Sequence, residues 1–130
     1  MKTLVILNEQ HKLMEEQVEI LNAEFDVGGW EICSVPADGW TYNEIYDIGN
    51  ELIDEYERVV FASPVPALLS KLCFDEGYNK AMTENDIDEK DYYHGIIQRV
   101  FVFHNDRRVK KTLPNGKVIS TVAEKGWRLV

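Results

Sequence analysis

Thr3-Leu4-Val5-Ile6-Leu7 and, further along, Arg58-Val59-Val60-Phe61-Ala62 decide how this chain is read. A strand with one face in water alternates apolar and polar residues, whereas a strand covered on both faces reads as an unbroken apolar run. Each of these runs gives way to polar residues and then to a helical pattern. After the first, Leu13, Met14, Val18, Leu21 and Phe25 recur at helical spacing until Gly28-Gly29. After the second, Ser63-Pro64 leads into Ala67, Leu68, Leu69, Leu72 and Cys73, with Pro64 or Pro66 suited to a first helical turn. Between the two, Trp30–Val35 alternates as a strand and stops at Pro36. Thr41 and Glu44 form a capping box ahead of the stripe Ile45, Ile48, Leu52 and Ile53. Arg99–Phe103 is a fourth strand.

Strands alternating with amphipathic helices predict an α/β fold: a Rossmann-like, three-layer, open and mostly parallel sheet. Residues 1–130 form one domain of ordinary size. Residues 75–95 make an acidic insert of weak pattern, either a short helix or a loop that orders on assembly. Residues 107–122 form a basic C-terminal β-hairpin turning at Pro114-Asn115-Gly116, where Asn-Gly predicts a primed turn. Such a hairpin either extends the sheet or projects from it for dimerisation. Trp127–Val130 adds a last short strand.

The apolar run near the amino end is too short for a signal-peptide core or a membrane span, and Cys33 and Cys73 stand apart in apolar stretches. A cytoplasmic protein with two buried thiols is expected. The net charge of -9 is uneven. From Arg99 onward there are eight Lys/Arg and two acids, a charge of +6, so the preceding residues carry -15. The acidic body disfavours duplex DNA, while the basic end suits a small anion or an acidic partner face.

Ligands of open α/β sheets bind beyond the carboxyl ends of the strands. That rule selects Asn8, Gln10 and His11 after the first strand, Ser63 after the third, and His104, Asn105, Arg107 and Arg108 after the fourth. His11 can move a proton or donate to a phosphoryl oxygen, or it and Asn8 can shape the loop and cap the helix. Ser63 either caps its helix or helps that helix end hold an anion. The basic hairpin residues either neutralise phosphates or guard an edge strand. Phosphate-loop and dinucleotide glycine motifs are absent, and His11, His94 and His104 lack metal-ligand spacing, so neither metal nor cofactor is expected. The carboxylates Glu84, Asp86, Asp88, Glu89 and Asp91 read as a solvated face, and Trp40, Tyr42 and Tyr46 either stack bases or pack.

In outline the chain resembles the small stand-alone ring nucleases of type III CRISPR systems. The likeness runs through MKTLVILNEQHKLMEEQVEIL, VPADGW, RVVFASPVPALL and RRVKKTLPNGKVISTV. It implies a CARF-like fold, a homodimer, and metal-independent cleavage of cyclic oligoadenylate, with cyclic tetra-adenylate favoured. Such antiviral-defence phosphodiesterases attack phosphorus with a ribose 2′-hydroxyl and leave a 2′,3′-cyclic phosphate. The resemblance implies catalytic roles for Asn8, His11 and Arg107, and ligand-binding roles for Gln10, Ser63, His104, Asn105 and Arg108. In this chain Lys12-Leu13-Met14 follows His11 where the family often has Thr or Ser opening the helix. A non-catalytic nucleotide receptor or accessory protein, and an acidic structural or inhibitory protein, are the alternative readings.

Overall fold

The computed structural model describes the backbone of residues 2–84 and 98–130. The first strand, β1 (Thr3–Asn8), has Thr3 to Leu7 buried because it is covered on both faces. Leu4 and Ile6 enter one core, and Val5 enters the other. The helix α1 (Glu15–Phe25) supplies Leu21 and Phe25 to the Val5 side. After β2 (Trp30–Val35), α2 (Tyr42–Glu55) supplies Ile45 and Leu52 to the Leu4 side. There they meet Leu68 and Leu72 of α3 (Pro66–Glu84), which follows β3 (Arg58–Phe61). Truncating a fully buried leucine such as Leu21 or Leu68 costs about 2–5 kcal/mol.

The remaining strands are β4 (Val100–Asn105), β5 (Arg108–Thr112), β6 (Val118–Val122) and β7 (Trp127–Leu129). The main sheet has the order β2-β1-β3-β4-β7, parallel except for β7, which runs antiparallel to β4. The expected α/β sheet with helices on both faces is therefore present. The chain moves outward from β1 to β2, then returns past β1 to β3. Right-handed crossovers accordingly place α1 on one face and α2 with α3 on the other. The loops leaving β1 and β3 diverge, which opens a crevice between their carboxyl ends.

Several local expectations are revised. The strand β4 continues to Asn105, because pairing His104 with Arg128 and Asn105 with Trp127 extends it. The helix α1 begins at Glu15, and the Met14 N–H donates to Gln17 Oε1 at 2.9 Å, so neither Asn8 nor His11 caps it. Thr41 and Glu44 do form the expected reciprocal cap on α2. The helix α3 absorbs the first part of the acidic insert, and residues 85–97, including His94, lie outside the described residues. The hairpin projects as a separate two-stranded sheet. Its turn is not of the primed type. Pro114 fixes a negative φ, the Gly116 N–H closes onto Leu113 O at 2.9 Å, and Gly116 alone in the turn takes a positive φ, at 84°. This is the three-residue loop built on a type I turn with a left-handed glycine. Cys73 is exposed on α3, whereas Cys33 is half-buried, and burial pushes its thiol pKa up.

Candidate functional site

The crevice beyond β1, β3 and β4 is a cleft of about 740 Å³, a volume typical of small-molecule sites. Its floor is apolar: Leu7, Phe61, Val102 and Phe103 at the strand ends, with Trp127 as one wall. Gln10, His11 and Lys12 come from the loop after β1, and His104 and Arg108 come from the far side. Among the described residues no Asp or Glu lines this cleft. Two cations and two imidazoles face it instead, so its field favours an anion.

Ser63 ties β1 to β3. It is 3% exposed, and its Oγ accepts the Asn8 N–H at 2.9 Å and stands 3.1 Å from His11 Nδ1. With one lone pair taken by the amide, the hydroxyl proton is satisfied by pointing at Nδ1. A Ser63 hydroxyl donated to Nδ1 leaves the proton of a neutral His11 ring on Nε2. His11 thus presents an N–H donor, backed by a buried hydroxyl and a strand-end amide. The Asn8 side chain is spent locally, its Oδ1 accepting the Gln10 N–H at 2.9 Å.

A serine beside a histidine also resembles a nucleophile and its base. Here the residue after the serine is Pro64, which has no N–H to stabilise an oxyanion. Ser63 lacks that neighbouring donor, and its Oγ contacts the Asn8 N–H and His11 Nδ1. It does not cap α3 either, because Val65 O accepts the Leu69 N–H and the helix starts at Pro66. Prolines 64 and 66 remove two of the donors that an anion would meet at that helix end.

The fourth-strand cluster divides by role. Asn105 is 5% exposed, and its Nδ2 donates to Ala123 O at 3.0 Å and Lys125 O at 3.3 Å, while its Oδ1 accepts the Arg107 N–H at 2.9 Å. The amide clamps the base of the hairpin and so sets where Arg108 stands. The Arg107 stem lies over Gly126, and Arg107 is not among the cleft residues. Exposed His104 pairs with Asp106 through Nε2 at 3.1 Å.

One contributor gave no sequence signal. Glu16 Oε1 accepts the Gly126 and Trp127 N–H groups at 2.9 and 2.7 Å. The Trp127 indole N–H in turn reaches Met14 Sδ at 3.3 Å. These bonds fix the tryptophan wall against α1. The aromatics Trp40, Tyr42 and Tyr46 are not in the cleft: Trp40 packs on the α2 core, and the Tyr46 ring receives the Lys71 ammonium 4.5 Å from its centroid. Among the described residues no group of three His, Cys, Asp or Glu side chains converges to hold a metal ion. No described helix is long and apolar enough to cross a membrane. Comparison with protein-family models, curated proteins and solved structures finds no match to this chain.

Proposed function

We propose that the protein is a CARF-like ring nuclease that binds cyclic oligoadenylate in this cleft and opens the ring. The reading is carried by one observation: a strand-end cleft lined by Lys12, Arg108, His11 and His104 and, among the described residues, by no carboxylate, in a chain of net charge -9. Phosphodiester oxygens match such a lining. The floor residues Phe61 and Phe103 and the Trp127 wall offer adenine faces an apolar platform.

In the proposed chemistry a ribose 2′-oxygen forms a bond to the adjacent phosphorus, and the bond from phosphorus to the 5′-oxygen breaks. The 2′-hydroxyl proton leaves, and the 5′-oxygen gains one. The products are a 2′,3′-cyclic phosphate and a 5′-hydroxyl. The His11 Nε2–H and the Arg108 guanidinium stabilise charge on the phosphoryl oxygens, and His104 carries the proton. Because the nucleophile belongs to the substrate, in-line placement is the main contribution asked of the protein.

The Nε2–H tautomer of His11 favours a second reading, a receptor that binds the ring without cutting it, since a donor at that position holds an oxyanion but abstracts no proton. One experiment separates the two. The protein is incubated with cyclic tri-, tetra- and hexa-adenylate in EDTA, the products are identified by mass spectrometry, and binding is followed by calorimetry. Linear products with cyclic phosphate ends, lost in Arg108→Ala and His11→Ala, are expected. Binding without cleavage assigns the receptor. Neither binding nor cleavage refutes the nucleotide reading.

A further inference from the structure

Among the described residues the buried polar side chains that line the cleft are Gln17, Ser63 and Asn105. Ser63 Oγ meets the Asn8 N–H and His11 Nδ1, and Asn105 spends both ends of its amide on the hairpin base. Gln17 spends one end. Its Oε1 accepts the Met14 N–H at 2.9 Å, and its Nε2 has no hydrogen-bond partner among the described residues. The amide is not free to turn over, because that would set its NH2 against the Met14 N–H. Nor is the nitrogen sealed in: among the described residues the one side-chain polar atom both sealed and unpaired is Thr3 Oγ1. Gln17 is 4% exposed and lines the cleft, so its opening is the cleft. A donor walled by protein on every other side suits an acceptor supplied by a ligand.

We propose that Gln17 Nε2 donates to a ring nitrogen on the edge of the bound base, so that the cleft reads the base as well as the phosphate. The inference rests on the nucleotide reading of this cleft and adds to it a specificity-determining residue. Placement selects a base acceptor over a phosphoryl oxygen. Met14 meets both Gln17, through its N–H, and Trp127, through Sδ at 3.3 Å from the indole nitrogen. The amide therefore stands on the tryptophan side of the cleft. A base held against the Trp127 wall carries ring-nitrogen acceptors on its edge. Phosphoryl oxygens have Lys12 and Arg108 as partners, and charged donors hold an anion more strongly than a neutral amide does. With Oε1 engaged by the backbone, the amide turns a donor toward the base. A ligand without the acceptor leaves that donor unpaired and is discriminated against.

The probes are AMP, ribose 5-phosphate and cyclic tetra-adenylate. AMP and ribose 5-phosphate share the sugar and the phosphate, and AMP alone of the two carries the base. The full chain is titrated with each as wild type, Gln17→Glu and Gln17→Met, with affinities and the Gln17 side-chain NH2 signal followed by nitrogen–proton NMR. Gln17→Glu keeps an oxygen for the Met14 N–H and replaces the donor by an acceptor, while Gln17→Met removes the donor without adding charge. Melting curves check that each variant is folded. In wild type AMP should bind more tightly than ribose 5-phosphate and move the Gln17 signal, which ribose 5-phosphate leaves in place. The ratio of the two affinities should fall about 10-fold in both variants. A change that acts through charge or through the α1 cap alone lowers both affinities together and leaves the ratio unchanged. An unchanged ratio overturns the base contact and leaves the nucleotide reading standing, as does a wild type that binds cyclic tetra-adenylate but does not prefer AMP to ribose 5-phosphate. A wild type that binds none of the three probes brings down the nucleotide reading and this contact with it.

Discussion

Replacing Asn105 by Asp tests whether the base of the hairpin is held as described. The change is nearly isosteric. Asp keeps the oxygen that accepts the Arg107 N–H but loses the two donors to Ala123 O and Lys125 O. Each lost hydrogen bond costs about 1 kcal/mol net. The new carboxylate is buried and faces two carbonyl oxygens, which adds about 1–3 kcal/mol. The sum is roughly 3–5 kcal/mol, or about 11–18 °C in melting temperature for a domain of this size. Asn105→Ala loses all three bonds but introduces no charge, so it should cost about 3 kcal/mol.

The two variants separate on pH. Burial raises the folded-state pKa of the new carboxyl above its unfolded value. A group raised in this way contributes most at low pH and loses that contribution as pH rises through the folded pKa. The Asp variant should therefore recover on acidification, while the Ala variant tracks wild type. Melting curves from about pH 5.5 to 8, above the isoelectric point of about 4.8, are the assay. Hydrogen exchange at Arg107 and at residues 123–127 locates the effect. Equal melting of Asp and Ala variants at every pH would refute the reasoning.

Ser63→Ala removes the acceptor of the Asn8 N–H and the partner of His11, so about 2 kcal/mol of stability should be lost. In nitrogen NMR the neutral His11 ring should shift from nearly pure Nε2–H to a tautomer mixture, and unchanged nitrogen shifts would show that the Ser63 hydroxyl does not set the tautomer. Tyr56 donates its O–H to Glu31, and that bond, ahead of burial, pushes its pKa up to about 12. Its stabilising effect is full below the unfolded value near 10 and fades as pH climbs toward about 12. Glu31→Gln should lower the Tyr56 midpoint in an ultraviolet titration read against Tyr56→Phe. A midpoint that stays put would rule out the carboxylate as the main cause.

How much of this was legible beforehand depends on the range of the interactions. The central strands were readable because Thr3–Leu7 and Val59–Phe61 are buried on both sides, and burial on both sides writes an apolar run. The α2 cap was readable because Thr41 and Glu44 act within one turn. The end of β4 was not, since His104 and Asn105 are strand residues only by virtue of β7, whose partners sit far along the chain. Strand-end logic brought Gln10, His11, Ser63, His104, Asn105 and Arg108 to one cleft. The catalytic role expected of Arg107 does not fit its place, because its stem lies over Gly126 while Arg108 lines the cleft. Nor does any local pattern mark Glu16, a helix carboxylate that reads as solvated until Gly126 and Trp127 arrive at it.

The Glu16 contact also governs how the molecule comes apart. It joins positions 110 residues apart in sequence, and the Ser63 contact with the Asn8 amide joins positions 55 apart. Contacts of such span form late and cannot persist in a chain that has opened elsewhere. Recognition by this cleft is consequently a property of the whole cooperative unit. Heating should then abolish ligand binding and far-ultraviolet structure at one temperature, which makes ligand binding a direct gauge of the folded fraction.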